Sequence, residues 1–395
     1  MQKAAALRRL LERPRIILAA GAHDAISAKL IEEAGFETIW ASGFAISAAH
    51  LGIPDAGLLT MVENLEIVKR INDAVPIPVI ADCDDGYGNA INVMRTVAEF
   101  EGAGVAGICI EDNLFPKRCS FYPGVRRELV PVEEHVGKIK AAKAAQRTRE
   151  FVLIARTEAL IAGWGLEEAF KRAKAYAEAG ADLVLVHSKA PTFEELHRFA
   201  QRWTLPCPLV AVPTTYPSVT LEELHEAGVK IVIFANQALR AAIRAMRETL
   251  EILRREGRAE AASSRIVPLE EVYELVGVQT LKAHEAQFLP AGGQKVKAII
   301  VAAGFEKELL PLIKDRPKTM LEVKGRTILE RQITRLNECG IKDIAVVRGY
   351  KKEAIDYPNV RYYDNERFEE THILQSLFSA EREIKGRFVF LYADI

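Results

Sequence analysis

A chain of 395 residues carrying 53 Lys and Arg against 54 Asp and Glu has a net charge of −1, so it lacks the broad basic field of a nucleic-acid binder. With 49% hydrophobic and 27% charged residues, it has the make-up of a globular protein with room for two domains. No apolar run approaches a membrane span, no signal core follows the basic start at 1–15, and five cysteines stand at no paired or metal-ligand spacing. These features exclude a membrane protein and a disulfide-framed secreted one, and a reducing cytoplasm is the expected home.

From residue 16 onward, short apolar runs alternate with amphipathic stretches. The runs lie at 16–20, 38–42, 79–84, 107–112, 151–157, 183–188, 209–213 and 231–235. Helical patterns fall between them, such as 167–179 closed by Gly180 and 221–227 closed by Gly228, where a glycine just past the helix is its usual stop. Eight strand–helix units predict an α/β fold of the (β/α)8 barrel kind. An open doubly wound sheet is the competing arrangement, and it rarely holds eight evenly spaced parallel strands.

In such a barrel, function gathers at the C-terminal ends of the strands. Polar residues stand there in almost every unit: Ser42 and Gly43, Asp82 and Asp84, Glu111 and Asp112, Arg156 and Glu158, His187 and Ser188, Thr214 and Thr215, and Asn236. The densest charge follows 79–81, where Asp82, Asp84 and Asp85 run into Gly86 and Gly88. Acids this close repel unless a cation or proton lies between them. Asp82 and Asp84, two apart, share a face if the strand continues, and Asp85 points elsewhere or belongs to the turn. A hard ion such as Mg²⁺, held by one or two carboxylates and water, suits them. The connection 111–131 is longer than its neighbours and carries Lys117, Arg118, Arg126 and Arg127, which suits a flap closing over an anion.

Past the eighth run comes a long helix at 237–258, a linker at 259–264, and short helices at 269–275 and 280–287. The Gly/Pro-rich break at 289–294 is the expected boundary between a barrel at 1–290 and a second α/β unit at 291–395. That unit predicts strands at 297–304, 344–347 and 388–392 and helices at 329–338 and 371–384. It stops at Asp394-Ile395, with an acid at a strand tip, which reads as a domain cut short.

The stretches Asp82–Gly88 and Glu111–Ser120 resemble the phosphoenolpyruvate mutase branch of the isocitrate lyase superfamily, and the likeness runs from about 16 to 290. Val212-Pro213-Thr214-Thr215-Tyr216, Phe234-Ala235-Asn236-Gln237-Ala238-Leu239-Arg240 and Phe288-Leu289-Pro290 belong to the same likeness. The resemblance implies Mg²⁺-dependent interconversion of phosphoenolpyruvate and phosphonopyruvate in a homotetramer that exchanges helices between barrels. It implies that Asp82, Asp84 and Glu111 hold the metal while Asp55 orients the site. Ser42, Gly43 and the backbone of Phe44 would bind the pyruvoyl oxygens, with Trp40 completing the substrate set. Arg156 and His187 would contact the phosphoryl group, with Lys117 and Ser120 reaching it from the closed loop.

The family's loop reads Glu-Asp-Lys, five residues, Asn-Ser; here Asn113 replaces the Lys and Cys119 the Asn. Carbon–carbon lyases of the superfamily carry a catalytic Cys in this loop, and Lys117-Arg118-Cys119 matches the start of their motif but Ser120-Phe121 does not match its end. Two alternatives therefore stay open: a lyase of a 2-methylisocitrate-type acid using Cys119, whose pKa the flanking Lys117 and Arg118 would lower, and a phosphonopyruvate hydrolase.

The second unit resembles sugar-phosphate and phosphocholine nucleotidyltransferases through Ala302-Ala303-Gly304, Arg316-Pro317-Lys318-Thr319-Met320-Leu321 and Lys324-Gly325. The resemblance implies a Rossmann-like domain that binds CTP through Ala303, Gly304 and Lys318, with Asp394 as a metal-binding Asp. Phe305-Glu306-Lys307-Glu308-Leu309 replaces the family's glycine- and arginine-bearing turn. A binding or docking module without nucleotidyl transfer is the expectation for this segment.

Overall fold

The computed structural model of the protein describes residues 2–124, 126–289 and 296–392. The chain divides into two compact units, Met1–Leu275 and Val276–Ile395. The break expected at 290–291 lies outside the described residues. The helix Val278–Phe288 before it has no buried residue.

The first unit is a closed, all-parallel eight-stranded barrel, as the spacing predicts. Its strands are β1 (Ile17–Ala22), β2 (Thr38–Ala41), β3 (Val79–Asp82), β4 (Gly107–Glu111), β5 (Val152–Thr157), β6 (Leu183–Val186), β7 (Leu209–Ala211) and β8 (Val229–Phe234). β8 pairs back onto β1 with Ile17 opposite Ile231, which closes the ring. Strands buried on both faces need apolar residues in succession, and the runs supply them. Ile17, Ala19, Trp40, Ile80, Ile154 and Leu185 belong to one cluster, and Ile39, Ala81, Ile108 and Ile110 belong to another with residues of the surrounding helices. Closure leaves no room at Gly21, where an added Cβ would stand 2.0 Å from the Ala235 carbonyl oxygen.

The helix Gln2–Glu12 stoppers the N-terminal end. Its Leu7 is fully buried in the cluster containing Ala106, Val152 and Leu183, at the beginnings of their strands. A buried leucine contributes about 2 kcal/mol, and the plug leaves only the C-terminal mouth for a site. Past the barrel, Gln237–Glu256 is helical as expected, but 259–264 is not a loose linker. It is a 3-10 turn, Ala259–Arg265, anchored by buried Ala262. No described helix is long and apolar enough to cross a membrane.

The second unit holds a parallel sheet of β9 (Lys297–Ala302), β12 (Ile344–Arg348), β13 (Val360–Asp364) and β14 (Phe388–Tyr392), in the order β13-β12-β9-β14. A two-residue antiparallel pair, β10 (Glu322–Val323) and β11 (Arg326–Thr327), precedes a helix, Ile328–Glu338, capped by Thr327. The single helix expected at 371–384 is broken into Ile373–Phe378 and the 3-10 turn Glu381–Glu383. The break lets Ala380 bury completely and turns Glu383 towards Lys297, Arg361 and Tyr363.

Candidate active site

The tips of β2 to β8 and the long connection after β4 enclose one cavity of about 290 Å³. Each strand delivers a polar residue because its run ends there, where side chains leave the packed interior. Trp40, Ser42 and Phe44 reach it from β2, Asp82 from β3, Glu111 from β4, Arg156 from β5 and His187 from β6. Ser42 also caps the short helix Gly43–Ile46, accepting from Ala45 N–H.

Asp82 and Asp84 converge, but not through the shared strand face that their spacing predicts. β3 ends at Asp82, and the backbone at Asp84 is left-handed with φ 50°, a conformation a non-glycine residue adopts only when held there. The turn brings Asp84 Oδ1 and Asp82 Oδ2 to the same place beside Gly43, where an added Cβ would lie 3.3 Å from each. Asp85 faces away, its carboxylate 3.8 Å from the buried Lys138. Burial pushes both Asp82 and Asp84 above the usual carboxylate range. Lys117 opposes this in each case, and neighbouring acids reinforce it.

Lys117 is almost wholly buried, with Nζ 2.6 Å from Asp55 Oδ1 and 2.8 Å from Asp84 Oδ1. Burial alone would lower its pKa, but Asp84, Asp55, Glu111 and Asp82 outweigh that and hold the ammonium well above its ordinary value. The contact to Asp84 is an ion pair without hydrogen-bond geometry, and Asp84 Oδ1 is left without a hydrogen bond. Among the described residues no three His, Cys, Asp or Glu side chains form a ready cage. Mg²⁺ does not need one, since it takes one or two carboxylates and keeps its waters. Two desolvated carboxylates around an open glycine, one with an unbonded oxygen, fit that ion, with Glu111 beside them.

The connection after β4 is folded down over the cavity. Cys119 N–H donates to the Asp55 carbonyl (3.0 Å), Asp55 N–H donates to Tyr122 Oη (2.9 Å), and Arg127 donates to the carbonyls of Arg118 and Cys119. Asn113, where the family carries Lys, donates from Nδ2 to Glu111 Oε1 at 2.7 Å. Ser120 Oγ donates to Glu158 Oε2 (2.7 Å) and accepts from Arg156 Nη2 (2.8 Å). Arg156 Nε stands 2.7 Å from Glu158 Oε1 and 3.2 Å from Glu111 Oε2, and His187 Nδ1 contacts both Arg156 and Glu158.

Glu158 joins Ser120, Arg156 and His187, and the sequence reading left it out of the site. The signal was its place two residues after Arg156 at a strand end. Burial would raise its pKa, but Arg156, His187 and Ser120 outweigh that and keep it ionised. Burial, then Arg156, pushes His187 down. Cys119 lines the cavity, and burial pushes its thiol up rather than down. The lowered pKa expected from its basic neighbours does not arise. Lys117 is committed to Asp55 and Asp84, and Arg118 is turned to the carbonyls of Ala56, Pro116 and Lys117.

In the second unit, Gly304 and Lys318 line a cavity of about 260 Å³. Ala303 is fully buried outside the cavity lining, with its carbonyl taken by Tyr350 N–H. Lys318 Nζ lies 2.6 Å from Glu306 Oε1, a partner supplied by the substituted turn. Asp394 lies outside the described residues.

Residues 7–254 match the phosphoenolpyruvate phosphomutase family. This chain belongs to that family. Residues 298–395 match the MobA-like NTP transferase domain. The chain is 45% identical over 290 residues to the phosphonopyruvate hydrolase of Variovorax sp. (strain Pal2), covering 73% of this chain and all of that one. The crystal structure of phosphoenolpyruvate phosphomutase from Streptomyces platensis subsp. rosaceus is 49% identical with a TM-score of 0.71, over 73% of this chain and 99% of that one. Phosphonopyruvate hydrolase in complex with oxalate and Mg²⁺ is 44% identical with a TM-score of 0.69, over 73% and 100%. Related phosphomutase-family structures thus include magnesium complexes.

Proposed function

We propose that the barrel interconverts phosphoenolpyruvate and phosphonopyruvate, with Asp82, Asp84 and Glu111 holding magnesium. The observation that carries this reading is the lid residue Ser120, bonded at once to Arg156 and Glu158, which seals a phosphate-suited cation beside the carboxylates. A migrating phosphoryl group is metaphosphate-like, so positioning and charge stabilisation dominate its transfer. Moving it from oxygen to carbon within one molecule needs no net proton transfer, which suits an ionised Glu158 and a protonated Cys119.

Arg156 presents a planar fork of donors to phosphoryl oxygens, fixed by Glu111 and Glu158. Lys117 brings an ammonium donor down with the lid, Ser120 ties the lid to Arg156 and Glu158, and Phe121, Tyr122 and Cys119 line its underside and keep water out. Ser42 and the Gly43 backbone face the pyruvoyl end, and Asp55 holds Lys117 in place. When bound, magnesium would supply Lewis-acid charge to the enolate and carboxylate oxygens of the pyruvate half.

Phosphonopyruvate hydrolysis is the second reading. The identity to the Variovorax hydrolase and Cys119 at the family's Asn position favour it, because a thiol is a weak donor for holding a phosphoryl group away from water. For the C-terminal unit we propose a nucleotide-binding or docking role, with CTP as the nucleotide. The exposed apolar residues Met246, Leu250, Leu269 and Phe288 support a homo-oligomer, taken as a tetramer in the cytoplasm. ³¹P NMR of phosphonopyruvate with the protein and Mg²⁺ tests the barrel. Phosphoenolpyruvate is the expected product, pyruvate plus phosphate would shift the assignment to the hydrolase, and inertness would sink both.

A further inference from the structure

The cavity has two walls of opposite character. In the closed strand order, β3 and β4 stand across the barrel from β7 and β8. The first wall carries Asp82 and Glu111. The second carries no charge, and its polar groups are Thr214 after β7 and Asn236 after β8, both lining the cavity. Among the described residues, Thr214 Oγ1, Asn236 Oδ1 and His187 Nε2 are buried oxygen or nitrogen atoms without a hydrogen-bond partner. A buried polar atom left unbonded is costly and rare. Three around one cavity, on three successive strand tips, mark a surface built to be completed by a ligand.

Asn236 strengthens the point. It occupies the N-cap of the helix Gln237–Glu256, where an Asn side chain ordinarily accepts from the first turn, yet it makes no capping bond. Its side chain is kept for the cavity, and the start of a 20-residue helix adds a partial positive charge there. His187, only 4% exposed, is oriented through Nδ1 by Glu158 and Arg156, which leaves Nε2 unbonded. With the Asn236 amide turned to present Nδ2, and His187 Nδ1 accepting from Arg156 so that Nε2 carries the proton, this uncharged wall offers hydroxyl, amide and imidazole donors at a helix start, which suits the terminal oxygens of a tetrahedral anion.

We propose that Thr214 and Asn236, together with His187, form the subsite for the terminal oxygens of the phosphoryl group carried on the three-carbon substrate, while the carboxylate wall takes the pyruvate half. The inference rests on the proposed function and adds two specificity-determining residues to it. It makes Thr214 and Asn236 readers of the substituent rather than of the enolate.

Two non-reacting ligands separate the walls. Oxalate mimics the pyruvate enolate without a substituent, and 3-sulfopyruvate adds a tetrahedral group with three oxygens that does not transfer. Calorimetry on the full chain with saturating Mg²⁺ reads the dissociation constant of each. Thr214→Val and Asn236→Ala should weaken 3-sulfopyruvate at least about tenfold and oxalate less than about twofold. Thr214→Ser should restore the lost affinity. Equal weakening of both ligands, or no change with either, overturns the subsite. A wild-type protein that binds neither ligand would overturn the proposed function along with it.

Discussion

The two cavities of this chain handle a buried or half-buried lysine in opposite ways. In the barrel, Lys117 faces Asp55 and Asp84 together, inside a cluster of carboxylates that outnumber the cations around them. In the second unit, Lys318 meets Glu306 from a turn that replaces the family's glycine and arginine. One arrangement keeps an excess demand for positive charge. The other brings a carboxylate to the cation that a phosphate would seek. The contrast teaches that a lysine's likeness to a family position says little until its counter-charges are known.

The sharpest way to break the comparison is to remove the barrel's central cation. Arg156→Ala should lower kcat/KM by about a thousandfold or more, as loss of a preorganised charge contact does, measured by the ³¹P assay. It should also destabilise the fold by about 3–5 kcal/mol, because Glu111 and Glu158 are left buried without their partner. A fully active variant would mean the phosphoryl group is held elsewhere.

The units should also part company in acid. His135 is buried beside Tyr176, and burial, with Lys138 and Arg172 nearby, pushes its pKa down to about 3. Below an unfolded value near 6.5 the unfolded chain takes up a proton that the native barrel refuses, so this stability is lost as pH falls from about 6.5 towards 3. That amounts to about 2 kcal/mol between pH 7 and pH 5. Glu383 in the second unit is held at about 2, chiefly by Lys297, with Tyr363 and Arg361 assisting. Its contribution is complete above about 4.5 and is lost only as pH falls from there towards 2. Urea unfolding at pH 7 and 5 should therefore weaken the barrel first, and His135→Phe should flatten that dependence. Equal loss in the two units would remove His135 as the cause.

Smaller effects sharpen the contrast. Glu306→Gln takes away a competitor for Lys318 and should raise CTP affinity about two- to fivefold by calorimetry, in line with a half-exposed ion pair. A drop in affinity would show that Glu306 serves the nucleotide instead. Cys119→Asn should leave mutase turnover equal or modestly higher, and abolished activity would reveal a mechanism that depends on the thiol.

The barrel was legible because its strands are apolar runs ended by polar residues, and the ends of those runs name most of the cavity. The convergence of Asp82 and Asp84 was legible only as an outcome, since the left-handed backbone at Asp84 has no signature in a non-glycine residue. Glu158 was visible at a strand end, but its bonds to Ser120 and His187 join positions 38 and 29 residues away, which no local pattern records. Strand β13 was missed because its residues are exposed or half-buried at a sheet edge, without the apolar run that marks its neighbours.

Lys117 rides on the segment that folds over the cavity, so the counter-ion of Asp55 and Asp84 travels with the door. Were that segment raised, the mouth would lose a positive charge in the same movement, leaving Asp55 and Asp84 without the ammonium that offsets them.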